Sequence, residues 1–215
     1  MRSRLLSLLC LVIFSSFSTN DSVIDRILNK TIPWELKATK NNLSIHSRSL
    51  RNVDNKETRQ LLCTTPTTIG SEALLDALYD PTFSTKWLKR VKECRTIATE
   101  SPAVWHTYIC FDFPWPMSKR DIVIENRLVQ IGNISLIEMK GVDEVLPHYE
   151  DITRMKGFYG YWRLTENTSL EYSIYSNVES KIPTWTTDPF MEKYLFESLA
   201  KFNTEVEKRI ENSNS

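Results

Sequence analysis

The chain has 215 residues, 27 Lys plus Arg against 27 Asp plus Glu, and a formal net charge of zero. That length accommodates one hydrophobic core of useful size, while balanced, scattered charge leaves no electrostatic footprint for nucleic acid or an anionic membrane. Only five glycines occur, and no Gly-x-Gly-x-x-Gly or Walker-type loop is present, which excludes the usual dinucleotide and nucleotide sites.

The amino terminus has its own character. Arg2 and Arg4 precede an apolar run from Leu5 to Phe14, and Ser16-Phe17-Ser18 follows as a small-x-small site. This order predicts a secretory signal peptide over residues 1–18, cleaved near Thr19, with 19–215 as a single domain that is secreted or periplasmic. An uncleaved anchor is the alternative, although the run is short for a bilayer. Export would place Cys63, Cys94 and Cys110 where disulfides persist, and an odd number allows at most one internal bridge. Asn29, Asn42, Asn133 and Asn167 each begin an Asn-x-Ser/Thr sequon, relevant only where the source glycosylates.

Asp21 to Lys30 repeats its apolar residues at helical spacing. Trp34 to Lys40 and Leu43 to Ser49 alternate about Asn41-Asn42, a pair suited to a two-residue hairpin, and Glu57 to Thr65 reads as a third strand. Ser71 opens a helix through Leu78, and Pro81 begins a second that carries Phe83 and Trp87. Six further strands are predicted at Val91–Glu100, Trp105–Asp112, Asp121–Gln130, Ile134–Lys140, Thr153–Leu164 and Ser169–Ser176. Asp188 is read as the cap of a final helix with Pro189 at its first position. Met191, Tyr194, Leu195, Leu199, Phe202, Val206 and Ile210 then repeat at three and four.

Between two of the strands stands Phe-Pro-Trp-Pro-Met-Ser-Lys-Arg-Asp, residues 113–121. Pro114 and Pro116 cannot donate to a ladder, so the chain leaves the sheet and re-enters it through a rigid corner. Trp115 is expected to plug the core there, and Arg120 to pair with Asp121 across the turn. Many antiparallel strands with one long terminal helix make an α+β arrangement, whose curved form is a helix-grip fold.

Pro114-Trp115-Pro116-Met117-Ser118-Lys119-Arg120-Asp121 closely resembles the signature of the START domains, the steroidogenic acute regulatory protein-related lipid transfer family. Trp34-Glu35-Leu36, Ser44-Ile45-His46-Ser47-Arg48, Lys56-Glu57, Trp87, Gly160-Tyr161-Trp162-Arg163-Leu164 and Lys181-Ile182-Pro183-Thr184-Trp185 extend the resemblance over nearly the whole mature chain. One departure is Asn177-Val178-Glu179-Ser180, which replaces the family's usual Asp-Pro-Gly-Gly turn. The resemblance implies a curved antiparallel sheet wrapped around a long C-terminal helix (START/Bet v 1-like). It also implies an internal tunnel for one lipid or other hydrophobic small molecule, transient membrane contact, a monomer and no cofactor.

On that reading inward faces are apolar with an occasional polar group. Ile122, Ile124 and Leu128 share a face with Asn126, the best single candidate for an inward polar contact; a satisfied core Asn is the alternative. The inward Glu and Arg of the cholesterol-binding branch fall on Thr107 and Asn126. The head-group Arg and Asp of the phosphatidylcholine-binding branch fall on Ser84 and Leu88, so neither familiar pair is present. Trp105, Tyr108, Phe158, Trp162, Tyr172 and Tyr194 are candidates to line the tunnel. No His-Glu-x-x-His, Cys-x-x-Cys or Gly-x-Ser-x-Gly occurs. Were the chain a cyclase-like enzyme, His106 next to Thr107 would be the candidate acid or base. His46 and His148 stand isolated, and Asp143-Glu144 and Asp151 are read as a solvated loop.

Overall fold

The computed structural model describes residues 32–51, 57–114, 118–176 and 184–213. The signal peptide, the helix expected at 21–30, the Trp115-Pro116 plug and the turn at 177–183 lie outside the described residues.

Alternating segments become β1 (Glu35–Lys40), β2 (Leu43–Arg51) and β3 (Glu57–Pro66). Asn41 and Asn42 have φ of 52° and 63°, the left-handed pair that a two-residue hairpin requires. Next come α1 (Ser71–Tyr79) and α2 (Pro81–Trp87), then β4 (Val91–Ala98), β5 (Val104–Asp112), β6 (Lys119–Ile131) and β7 (Ile134–Gly141). Asp80 caps α2, its Oδ1 accepting from the Thr82 and Phe83 amides at 2.9 and 3.3 Å.

The single strand expected over Thr153–Leu164 is two: β8 (Thr153–Arg154) and β9 (Phe158–Thr165), followed by β10 (Ser169–Ser176). The chain turns at Gly157, where φ is 63°, and β8 runs parallel to β6 rather than continuing into β9. All ten strands form one curved sheet, ordered β1-β2-β3-β10-β9-β7-β6-β5-β4. Pairing is otherwise antiparallel, and β10 closes against both β3 and β9. β9 and β10 cross tightly at Gly160, where a Cβ would sit 2.4 Å from the Ser173 carbonyl oxygen.

α3 (Thr184–Ser213) has 30 residues, about 45 Å of helix, enough to cross the sheet. It begins at Thr184, four residues before the expected cap, so Pro189 lies within it and withholds one bond from the carbonyl of residue 185. Tyr194, Leu195, Leu199, Phe202 and Val206 are buried against the inner face of the sheet. Each such side chain contributes about 1.5–3 kcal/mol. Polar ties flank this stripe: Arg59 to Glu192 at 3.2 Å, Lys89 to Glu197 at 2.5 Å and Arg209 to Asp80 at 2.8 Å.

Successive residues of a strand point to opposite faces, so Arg120 and Asp121 diverge instead of pairing across the turn. The Asp121 carboxylate accepts from Arg154 Nε at 2.9 Å and Nη2 at 3.1 Å. Both side chains are buried, 1% and 2% exposed, and the bonds to Asp121 raise the Arg154 pKa. Arg154 also donates to the carbonyls of Asp143, Leu146 and Pro147. The loop read as solvated does expose Asp143, Glu144 and Asp151, while its apolar residues are held on the outer face, where Val142, Leu146 and Ile152 pack on Tyr108, Cys110 and Val123.

Arg154→Met leaves the Asp121 carboxylate buried without its cation, and urea unfolding is expected to show a loss of about 3–5 kcal/mol. Adding Asp121→Leu should recover a large part of it; a single variant as stable as the parent would refute the role of the pair.

Candidate ligand-binding site

Strand parity decides which expected residues meet. Trp105, Ile109 and Phe111 of β5 face inward with Ile122 and Ile124 of β6, and so do Phe158 and Trp162 of β9 and Tyr172 of β10. Tyr194 meets them from α3. Tyr108, one residue out of phase, belongs to the outer cluster with Cys110 and Val123, and it is removed from the candidates. His106 has the same parity; its Nε2 lies 3.6 Å from Glu125 across the outer face. The candidate acid or base of an enzymatic reading is therefore turned away from the interior.

Asn126 is buried directly opposite Trp105 in the β5–β6 register. Its Nδ2 donates to Thr107 Oγ1 at 3.0 Å, to the Ile124 carbonyl at 3.3 Å and to the Trp105 carbonyl at 3.4 Å. The two positions singled out by the family comparison thus bond to each other, and Thr107 keeps its O–H for another acceptor. Ser84, at one head-group position, is buried on α2, and Leu88, at the other, packs against the core.

Midway along the interior stands an aromatic block. Trp162 lies 4.1 Å from Tyr172, 4.9 Å from Phe202 and 5.7 Å from Trp87 between ring centroids. Towards the proline corner Phe111 and Phe113 stack at 5.1 Å, with Tyr194 edge-on to both. Burial raises the Tyr172 and Tyr194 phenols well above their ordinary pKa and pushes the Cys63 thiol up to about 12. These groups are neutral donors at physiological pH, not nucleophiles. Trp87 Nε1 and Trp105 Nε1 are buried N–H donors that meet no acceptor among the described residues.

Cys63, Cys94 and Cys110 are all free thiols. Cys63 and Cys94 stand on β3 and β4, with five strands between them, and Cys110 faces the other way, so no pair comes within bridging reach. Among the described residues no cluster of His, Cys, Asp or Glu is placed to hold a metal, and no helix is long and apolar enough to cross a membrane.

At the end of β5 and β6 away from the corner a cleft of about 400 Å3 opens. Leu75 and Tyr79 of α1, Pro102, Trp105 and Leu128 wall it, and Asp76, Asp80 and Arg209 rim it. Apart from Trp105 and Leu128, sequence reasoning missed these residues. Arg209 and Asp80 stand 129 positions apart, and no local pattern announces their meeting.

No family model matches the sequence. An uncharacterised protein of Pseudomonas aeruginosa is 23% identical over 181 residues, 82% of this chain and 88% of that protein. A STAR-related lipid transfer protein from Xanthomonas axonopodis has a similar structure, with TM-score 0.71 at 17% identity, covering 81% of this chain and 98% of the other. Human STARD10 gives 0.72 at 17% identity over 90% and 80% of the two chains. The Zhui aromatase/cyclase of a Streptomyces species gives 0.50 at 11% identity over 70% and 94%. The fold is the START helix-grip fold, which both lipid-transfer proteins and an aromatase/cyclase use.

Burial works to raise the Asp80 pKa, but the Thr82 hydroxyl, Arg209 and the Phe83 and Thr82 amides outweigh it and lower it to about 2. Because the folded pKa lies below the ordinary value near 4, this carboxylate stabilises the fold above pH 4 and ceases to as pH falls through about 2. Asp80→Asn is expected to melt below the wild type at pH 6, with the gap closing between pH 4 and 2. A gap independent of pH would show that charge plays no part.

Proposed function

We propose that this chain binds a lipid or other hydrophobic molecule between the inner face of its sheet and α3, and passes it between membranes. The observation that carries this reading is the continuity of the inner surface. Apolar residues of β2, β3, β5, β6, β7, β9 and β10 form one buried cluster with those of α1, α2 and α3. Burying ligand surface there contributes about 25 cal/mol per Å2, enough to retain a lipid without a metal or a catalytic group. The START fold, found in proteins described as lipid transfer proteins, supports it. Opening α3 as a lid has to expose part of the buried stripe from Tyr194 to Val206, and the polar ties along the helix, partly exposed and individually weak, add little to that barrier. A basic, apolar and small-residue amino terminus further supports a site of action outside the cytoplasm, with residues 1–18 removed.

A second reading has one observation in its favour. Trp87, Trp162, Tyr172 and Phe202 occupy the middle of the interior themselves, as in a sensing module whose own side chains fill the space that a ligand would take.

Native mass spectrometry of the protein expressed with its leader, followed by organic extraction, separates the two. Lipid transfer predicts a stoichiometric added mass that extracts into chloroform. A bare protein mass that persists after incubation with a total lipid extract, with no change in melting temperature, would overturn it.

A further inference from the structure

Trp105 combines two properties that packing alone does not explain. It walls the cleft beside α1, yet the residue is only 2% exposed and its buried indole Nε1 meets no acceptor among the described residues. An unpaired buried N–H costs about 1–3 kcal/mol, a cost that a purely apolar side chain at this position would not carry. The group is poised for an acceptor that comes from elsewhere. Tyr79, 44% exposed, stands on the solvent side of the cleft with its ring 5.8 Å from the Trp105 ring. Behind Trp105 on the same inward face are Thr107 and Asn126, whose mutual hydrogen bond continues the polar track.

The rim selects by charge. Asp76 and Asp80 face a single cation, Arg209, whose Nη1 is engaged by Asp80 Oδ2 at 2.8 Å. Two carboxylates against one guanidinium disfavour a phosphate or carboxylate head group. The walls are apolar and aromatic, and a volume of about 400 Å3 lies within the range of small-molecule pockets.

We infer that this cleft is a second opening to the interior, distinct from the proline corner, and that it takes an uncharged amphiphile whose ester, ketone or hydroxyl oxygen accepts the Trp105 indole N–H. The chain of that ligand runs inward past Leu128. This deepens the proposed lipid binding and rests on it.

Three probes test it with the full chain, by titration calorimetry or native mass spectrometry. Dioctanoylglycerol carries acceptors and no charge, dioctanoyl phosphatidic acid carries the same chains under an anionic head, and hexadecane carries no acceptor. The glyceride is expected to bind at least tenfold more tightly than the phosphatidic acid. Trp105→Phe is expected to weaken glyceride binding about tenfold, the effect of one lost hydrogen bond, and to leave hexadecane binding unchanged. The wild-type preference needs no variant, so it decides the matter even if Trp105→Phe fails to fold. Phosphatidic acid binding as tightly as the glyceride, or a folded Trp105→Phe with undiminished glyceride affinity, overturns the inference and leaves lipid binding standing. If none of the three probes binds, this inference falls, and lipid binding as such is decided by the extract experiment.

Discussion

Everything in this molecule depends on covering the inner face of one sheet. Ten strands joined edge to edge present a broad apolar surface, and such a surface is stable in water only when something is laid against it. α1 and α2 cover one flank, and the stripe from Tyr194 to Val206 on α3 covers the remainder. A curved sheet and a straight helix do not interdigitate as two flat layers do. Large aromatic side chains take up the mismatch, which is why Trp87, Trp162, Tyr172 and Phe202 gather where the helix crosses the strands.

The outer face obeys a different rule. The cations buried there arrive hydrogen-bonded: Arg154 to the Asp121 carboxylate, and Arg48 to the Gln60 amide oxygen, with the Gln60 NH2 donating in turn to Ser173 at 2.8 Å. Burial acts to lower the Arg48 pKa, and the Trp34 ring 4.3 Å from its guanidinium carbon contributes a cation–π contact. The ion pair among these contacts costs about as much desolvation as it returns in attraction. Their role here is positional: they hold the loop at 143–147 and the β2–β3–β10 ladder in one register.

Much of this architecture was legible because strands and helices write different periods into a sequence. Alternation marked every strand of the sheet apart from one boundary, and Asn41-Asn42 and Pro81 marked their turns for local steric reasons. The break at Gly157 was hidden because Thr153 to Leu164 reads continuously, and only the parallel contact of β8 with β6 separates it. Parity, applied strictly, already placed Tyr108 and His106 opposite Trp105, but both faces of β5 are apolar enough to obscure which one is inside. Hidden altogether were the meetings of distant residues: Asp121 with Arg154, Asp80 with Arg209, and the cleft that the second pair rims. Side-chain partners 33 and 129 positions apart leave no periodic trace.

The closure of β10 against β3 bears on how the chain reaches this state. Gln60 and Ser173, bonded across that seam, are 113 residues apart, so the first three strands acquire their inner neighbour only after nearly all the rest of the chain is available. Pairings of such separation make folding slow, since loop-closure entropy is spent before any contact repays it. A chain emerging from its amino end therefore carries a meander with an unsatisfied edge for most of its synthesis. That delay leaves the open edge of β3 exposed to mispairing before its partner arrives.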